Sequence, residues 1–261
     1  GGAAIGITPQ NGSISPSSPL VPIFQSDIHR IRVAIPDGWI VDDRFNGTDV
    51  IAEQAVRQHG GEYVAAMCPQ DQALPSIAGL YSCQFQSSTG TGRGLVIYSF
   101  ENLQTRPEFS SLARENRSVT TEDLMGLYFD LNRGLEIAIS PHVEIVTNTD
   151  TAVNFVDSQT NQTLARIPAK YVEFVQSYPG VSYREFVLLA LNNDTNTGYA
   201  LRPVIEEGLE STADAPAFVR QVFGSFELVA PLTTPPGATT TPPTLPTLSQ
   251  PLQQDQQQLS P

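Results

Sequence analysis

Tyr183-Arg-Glu-Phe-Val-Leu-Leu-Ala-Leu191, Asn192-Asn-Asp-Thr-Asn-Thr197, Gly198-Tyr-Ala-Leu-Arg-Pro203: two largely apolar runs stand on either side of a short polar segment. The runs carry Val, Phe and Tyr, residues that suit a pleated surface, and the segment between them carries the Asn and Asp that favour turns. Strands joined this closely pair antiparallel, because a parallel return needs a crossover of about a dozen residues or more. The same pattern extends upstream. Strand-like runs at Leu135–Ile139, Val143–Thr147, Ala152–Val156 and Lys170–Tyr178 are separated by turn signals at Asp157–Asn161 and Pro179-Gly180. The C-terminal half therefore reads as a largely antiparallel sheet.

The N-terminal half adds strands and a few helices. Ile31, Val33 and Ile35 alternate with Arg32 and Ala34, Pro36-Asp37-Gly38 turns the chain, and Trp39-Ile40-Val41 resumes a strand. Tyr63–Met67 and Leu95–Phe100 are further strands. The best helix is Thr121–Arg133: Leu124, Leu127, Tyr128 and Leu131 recur at helical spacing and share one buried face. Thr120 with Asp123 makes a start like a capping box, and Gly134 reads as its stop. Thr48–Gln58 and Pro216–Phe223 are shorter helical candidates, the latter running into Ser225-Phe226-Glu227-Leu228. The fold class is α+β, with a core expected to include Val33, Ile35, Trp39, Leu124, Leu127, Leu131, Phe186, Leu188 and Phe226. Residues 1–20 are rich in Gly, Ser and Pro and read as a linker, residues 21–230 as one globular domain, and residues 231–261 as a disordered Pro/Thr/Gln-rich tail in which only Asp255 is charged.

Five Asn-x-Ser/Thr triplets, at Asn11, Asn46, Asn116, Asn161 and Asn193, are more than the roughly two that 11 asparagines would give by chance. They are N-glycan acceptors if the chain works outside a cell, and the tail composition suits a glycosylated stalk. Cys68 and Cys83, the two cysteines, are expected to form a disulfide in that compartment. The net charge of −13 repels phosphate backbones and anionic lipid, so nucleic acid is an unsuitable partner. No apolar run reaches the ~20 residues of a membrane helix.

No catalytic constellation stands out. Gly90-Thr-Gly-Arg-Gly94 precedes a strand rather than following one, so it reads as a turn and not a phosphate loop. Glu206, Glu207, Glu210 and Asp214 form the densest acidic cluster, with Asp42, Asp43 and Asp49 a second one. Such clusters are a necessary start for Ca²⁺, but EF-hand spacing is absent and a solvated acidic loop is the preferred reading. Gly224-Ser-Phe completes no nucleophile elbow. Ser140-Pro-His142 is best read as a turn, and His29, His59 and His142 are too scattered to suggest zinc. Trp39, Tyr63, Tyr81, Tyr98 and Tyr199 could form a sugar platform, though strand aromatics are usually core.

Several segments resemble PsbP-like domains: Ile31-Arg-Val-Ala-Ile-Pro-Asp-Gly-Trp39, Pro168-Ala-Lys170 with the hairpin Tyr183–Leu191 and Gly198-Tyr-Ala-Leu201, and Val222-Phe-Gly-Ser-Phe226. Ala66-Met-Cys-Pro69 and Pro168-Ala-Lys-Tyr-Val-Glu173 are similar to secreted PsbP-like proteins of ammonia-oxidising archaea. The resemblance spans residues 23 to 230 and implies an α/β/α sandwich around an antiparallel sheet. The plant members are accessory subunits that help a photosystem hold calcium and chloride. This chain departs from them in its near absence of lysine, its cysteine loop and its tail, so no docking surface or metal site carries over. The expectation is a non-catalytic extracellular or cell-surface module with a protein or glycan partner and no cofactor. The alternatives are an accessory subunit of a membrane redox or metal-handling complex, with cations at the acidic loops, and a secreted hydrolase using one of the histidines.

Overall fold

The computed structural model describes residues 21–42, 61–75, 81–83, 94–135, 142–178, 181–204 and 217–231. Its strands are β1 (Ile23–Ser26), β2 (Ile31–Ala34), β3 (Trp39–Asp42), β4 (Gly61–Pro69), β5 (Ala73–Pro75), β6 (Tyr81–Cys83), β7 (Gly94–Phe100), β8 (His142–Val156), β9 (Thr163–Tyr178), β10 (Val181–Asn192), β11 (Thr197–Val204) and β12 (Glu227–Val229). The helices are α1 (Ser110–Arg114), α2 (Thr121–Leu135) and α3 (Ala217–Ser225). Ten strands form one sheet in the order β1-β2-β12-β8-β9-β10-β11-β7-β4-β3, and β5 and β6 form a separate ribbon. From β8 to β11 the chain meanders, each strand antiparallel to the next. Among the described pairings only β12 with β8 is parallel.

Both faces of the sheet are covered, which explains the unbroken apolar run of β10. Val187, Leu189 and Leu191 face a core shared with Leu124, Leu127, Tyr128 and Phe129 of α2. Leu188 and Ala190 face a second core with Val222 of α3 and Phe226 just after it. Ile31 and Val33 of β2 enter that second core from one end of the sheet, and Val64 and Met67 of β4 from near the other. The sheet therefore curls around it. Of the expected core, Val33, Leu124, Leu127, Phe186, Leu188 and Phe226 are buried, whereas Ile35 and Trp39 are partly buried against the second core. Trp39 packs its ring on Phe218 at 5.1 Å. The Leu131 side chain lies outside the described residues.

The reciprocal cap forms: Thr120 N donates to Asp123 Oδ2 at 2.8 Å, and Asp123 N donates to Thr120 Oγ1 at 3.2 Å. Three sequence expectations are corrected. Helix α2 passes Gly134 and ends at Leu135, since glycine accepts helical backbone angles as readily as left-handed ones. Leu135 is thus helical, and the rest of the strand expected at Leu135–Ile139 lies outside the described residues. The strands read as Val143–Thr147 and Ala152–Val156 are one continuous strand, β8. Asn148-Thr149-Asp150 looks like a turn in isolation, but Asp150 lies opposite Lys170 of β9 and pairs with its ammonium at 2.9 Å. Strand β9 likewise begins seven residues earlier than its sequence reading and carries Pro168 in its interior. The helix expected at Thr48–Gln58 and the loop residues Gly90–Arg93 lie outside the described residues.

Candidate functional site

Helix α3 buries Val219 and Val222, three residues apart, and Val222 belongs to the second core. Among the described residues β12 pairs with β8 only at Asn154, Phe155 and Val156. Between the helix and the strand opens a groove of about 530 Å³. Leu188, Val219 and Phe226 line it, as do Thr151 to Asn154. Tyr171 and Phe223 also line it, their rings edge to face at 6.0 Å. Burial, with the nearby Glu173 carboxylate, raises the Tyr171 hydroxyl above its ordinary range against the opposing Arg184, so the phenol stays a proton donor at neutral pH.

Two exposed arginines, Arg166 of β9 and Arg220 of α3, flank this groove in a chain whose net charge is −13. Arg166 Nη2 donates to the Ala152 carbonyl at 3.2 Å. Ala152 lies opposite Pro168, which has no N–H to donate. The groove thus combines aromatic and aliphatic side chains with two arginines.

A second hollow, about 210 Å³, lies at the β1–β2 turn beside β7 and β11. Tyr199 Oη donates to the His29 carbonyl at 3.0 Å, and burial pushes the phenol up to about 12. Ser99 Oγ stands 3.4 Å from His29 Nδ1. Here a serine meets a histidine, as a hydrolase would require, and in β8 and β9 His142 lies opposite Ser177. Ser99 is buried, however, and no carboxylate among the described residues bonds the ring. The contact ties the turn to the sheet rather than presenting a nucleophile.

The remaining expected residues are dispersed. Asn116 and Asn161 are exposed in left-handed turns, with φ of 53° and 58°, and Asn193 is exposed between β10 and β11. Asn161 Oδ1 accepts from Arg32 Nη1, leaving the amide nitrogen that would carry a glycan outside that bond. Asn11 and Asn46 lie outside the described residues, as do Asp43, Asp49, Glu206, Glu207, Glu210 and Asp214. Asp42 is buried at the end of β3, and no group of metal-ligating side chains gathers among the described residues. Cys68 of β4 and Cys83 of β6 sit at disulfide-bonding distance with Cα atoms 5.7 Å apart. Among the described side chains the aromatics divide between the cores: Tyr98 belongs to the first, with Tyr63 packed against it, while Tyr199 and Trp39 lie at the second, and the Tyr81 side chain lies outside the described residues. The groove residues Arg166, Arg220, Tyr171 and Phe223 were not singled out by the sequence, which offers only scattered arginines and an apolar helix as signals.

No family model and no curated protein matches the chain. Among solved structures it is similar to the cyanobacterial PsbP protein CyanoP from Synechocystis sp. PCC 6803, at 10% identity and a TM-score of 0.47, covering 84% of this chain and 98% of that one. It is also similar to the Ran-binding protein Mog1p of Saccharomyces cerevisiae, at 9% identity and a TM-score of 0.38, covering 80% of this chain and 95% of that one. At these identities and scores the likenesses fix neither a family nor a role for this chain.

Proposed function

We propose that the protein is a non-catalytic module displayed outside the cell, a PsbP-like α/β/α sandwich with α2 on one face of the sheet and α3 on the other. Residues 231–261 serve as its glycosylated spacer, and a protein or glycan is its partner. The observation that carries this reading is the setting of the sequons: Asn116, Asn161 and Asn193 are all exposed at turns, where a glycan can be attached without disturbing either core. The acidic surface keeps such a module soluble at high local density. Mass spectrometry of peptides from the native protein tests the reading, with glycans expected at Asn116, Asn161 and Asn193. All three bare would remove its support.

A further inference from the structure

The hollow at the β1–β2 turn, about 210 Å³, carries an unusual backbone residue. Arg30 is left-handed there, with φ of 55°. The other described non-glycine residues in that conformation, Asn102, Asn116, Asn161 and Asn196, are all asparagine, whose short amide eases it. Arginine has no such relief, so the turn bears a conformational cost that asparagine would lessen. The turn is nonetheless fastened: Val229 N donates to the Arg30 carbonyl at 2.8 Å, and Tyr199 Oη donates to that of His29 at 3.0 Å. Among the described arginine side chains, Arg30 alone makes no hydrogen bond or ion pair. Glu101, which lines the same hollow, has no described ion pair either, and the two do not pair with each other. Burial is the main cause of the raised Tyr199 pKa, and the charges of Arg30 and Glu101 act on it in opposite directions, so both lie within electrostatic reach of that hydroxyl.

We propose that this hollow binds a small zwitterion, a free α-amino acid, with its carboxylate on the Arg30 guanidinium and its ammonium on the Glu101 carboxylate. Tyr199 Oη spends its proton on the His29 carbonyl, so what it offers a ligand is an acceptor, which suits the same ammonium. Asn102 and Thr197, also in the lining, can bond a short polar side chain. The charges select against simpler ligands. A lone anion would meet Glu101 and the field of a chain of net charge −13, and a lone cation would meet Arg30. A species that carries both charges meets a partner for each. A neutral sugar usually needs the face of an aromatic ring, but the Tyr199 ring is buried and lies 6.3 Å from that of Phe226. The volume fits one small molecule rather than a peptide.

The inference goes beyond the reading of the protein as a displayed module and does not depend on it. L-serine and L-asparagine are titrated into the whole native protein by isothermal calorimetry, alongside N-acetylserine, serinamide and methyl glucoside. Both amino acids are expected to bind. N-acetylserine, which lacks the ammonium, and serinamide, which lacks the carboxylate, are each expected to bind about tenfold more weakly. Arg30→Asn removes the guanidinium and suits the left-handed backbone, so its thermal midpoint should hold or rise while serine binding falls about tenfold. Glu101→Gln should narrow the gap between serine and N-acetylserine. With serine bound, the amides of residues 28–30 are expected to gain protection from hydrogen exchange. Deglycosylated protein should bind equally, so the sequon reading can fail while this one stands. No binding of either amino acid at millimolar concentration, unchanged serine binding by Arg30→Asn, equal binding of serine and N-acetylserine, or binding of methyl glucoside alone would each overturn the proposal.

Discussion

Lys170 is the chain's only lysine and is 6% exposed, yet it sits between Asp150 at 2.9 Å and Glu122 at 3.0 Å. Burial opposes its charge, but the hydrogen bonds and charges of the two carboxylates outweigh burial and hold the ammonium above its ordinary range. A raised folded value stabilises fully below the unfolded value of about 10.5 and is lost as pH rises through the folded one. Urea melts are therefore expected to show level stability near neutrality and a fall at strongly alkaline pH. Tyr199, pushed up to about 12, adds to the same fall, so Lys170→Met should make it shallower without removing it. Because Asp150 and Glu122 are themselves 84% and 61% exposed, that substitution should cost no more than about 1 kcal/mol at neutral pH. Gly198 shows a different constraint: a Cβ there would stand 2.7 Å from Leu124 Cδ1 and 3.1 Å from Leu103 Cδ1. Gly198→Ala should destabilise by about 1–3 kcal/mol and Leu124→Ala by about 2–5, with the double variant losing less than their sum in denaturant melts. Helical spacing picks out Leu124 in the sequence. Nothing local picks out Gly198, whose requirement comes from a helix more than sixty residues away.

Elements set by neighbouring residues were legible, and elements set by distant partners were not. The hairpins β9–β10 and β10–β11 follow from turn residues lying between apolar runs, and the α2 start follows from Thr120 and Asp123. Asn148-Thr149-Asp150 interrupts the strand pattern of β8 in the sequence, and the stretch is extended where Asp150 stands opposite Lys170. The ribbon β5–β6 leaves no comparable mark in the sequence, since its short strands gain little from pairing alone. It is held by Cys68 and Cys83, which pack with Ala66 against Ile40 and Ala73 as a small cluster apart from both main cores. If the bond is formed in the native protein, reduction should lower stability by about 3 kcal/mol, seen as a lower denaturant midpoint with reductant present. An unchanged midpoint would mean that the bridge contributes nothing to global stability.

At the scale of the whole molecule, composition and charge spoke to compartment and partner class, while strand order stayed hidden because it depends on pairings such as Arg32 with Glu227. The groove was hidden for the same reason: its residues come from β8, β9, β10 and α3, and no spacing rule links them. The insertion of β12 between β2 and β8 also imposes a timetable on the chain. Strands β1 and β2 pair early with each other, but their only described ladder to the rest of the sheet is through the three residues of β12. As a chain emerges from its N-terminus, the described ladder that joins Ile31 and Arg32 to the rest of the sheet cannot form until residues 227–229 exist, so nearly all of the domain has to be made before that seam can close. Completion is thus slow and late by construction, and a nascent chain halted short of β12 would show its first strands to whatever escorts unfinished proteins.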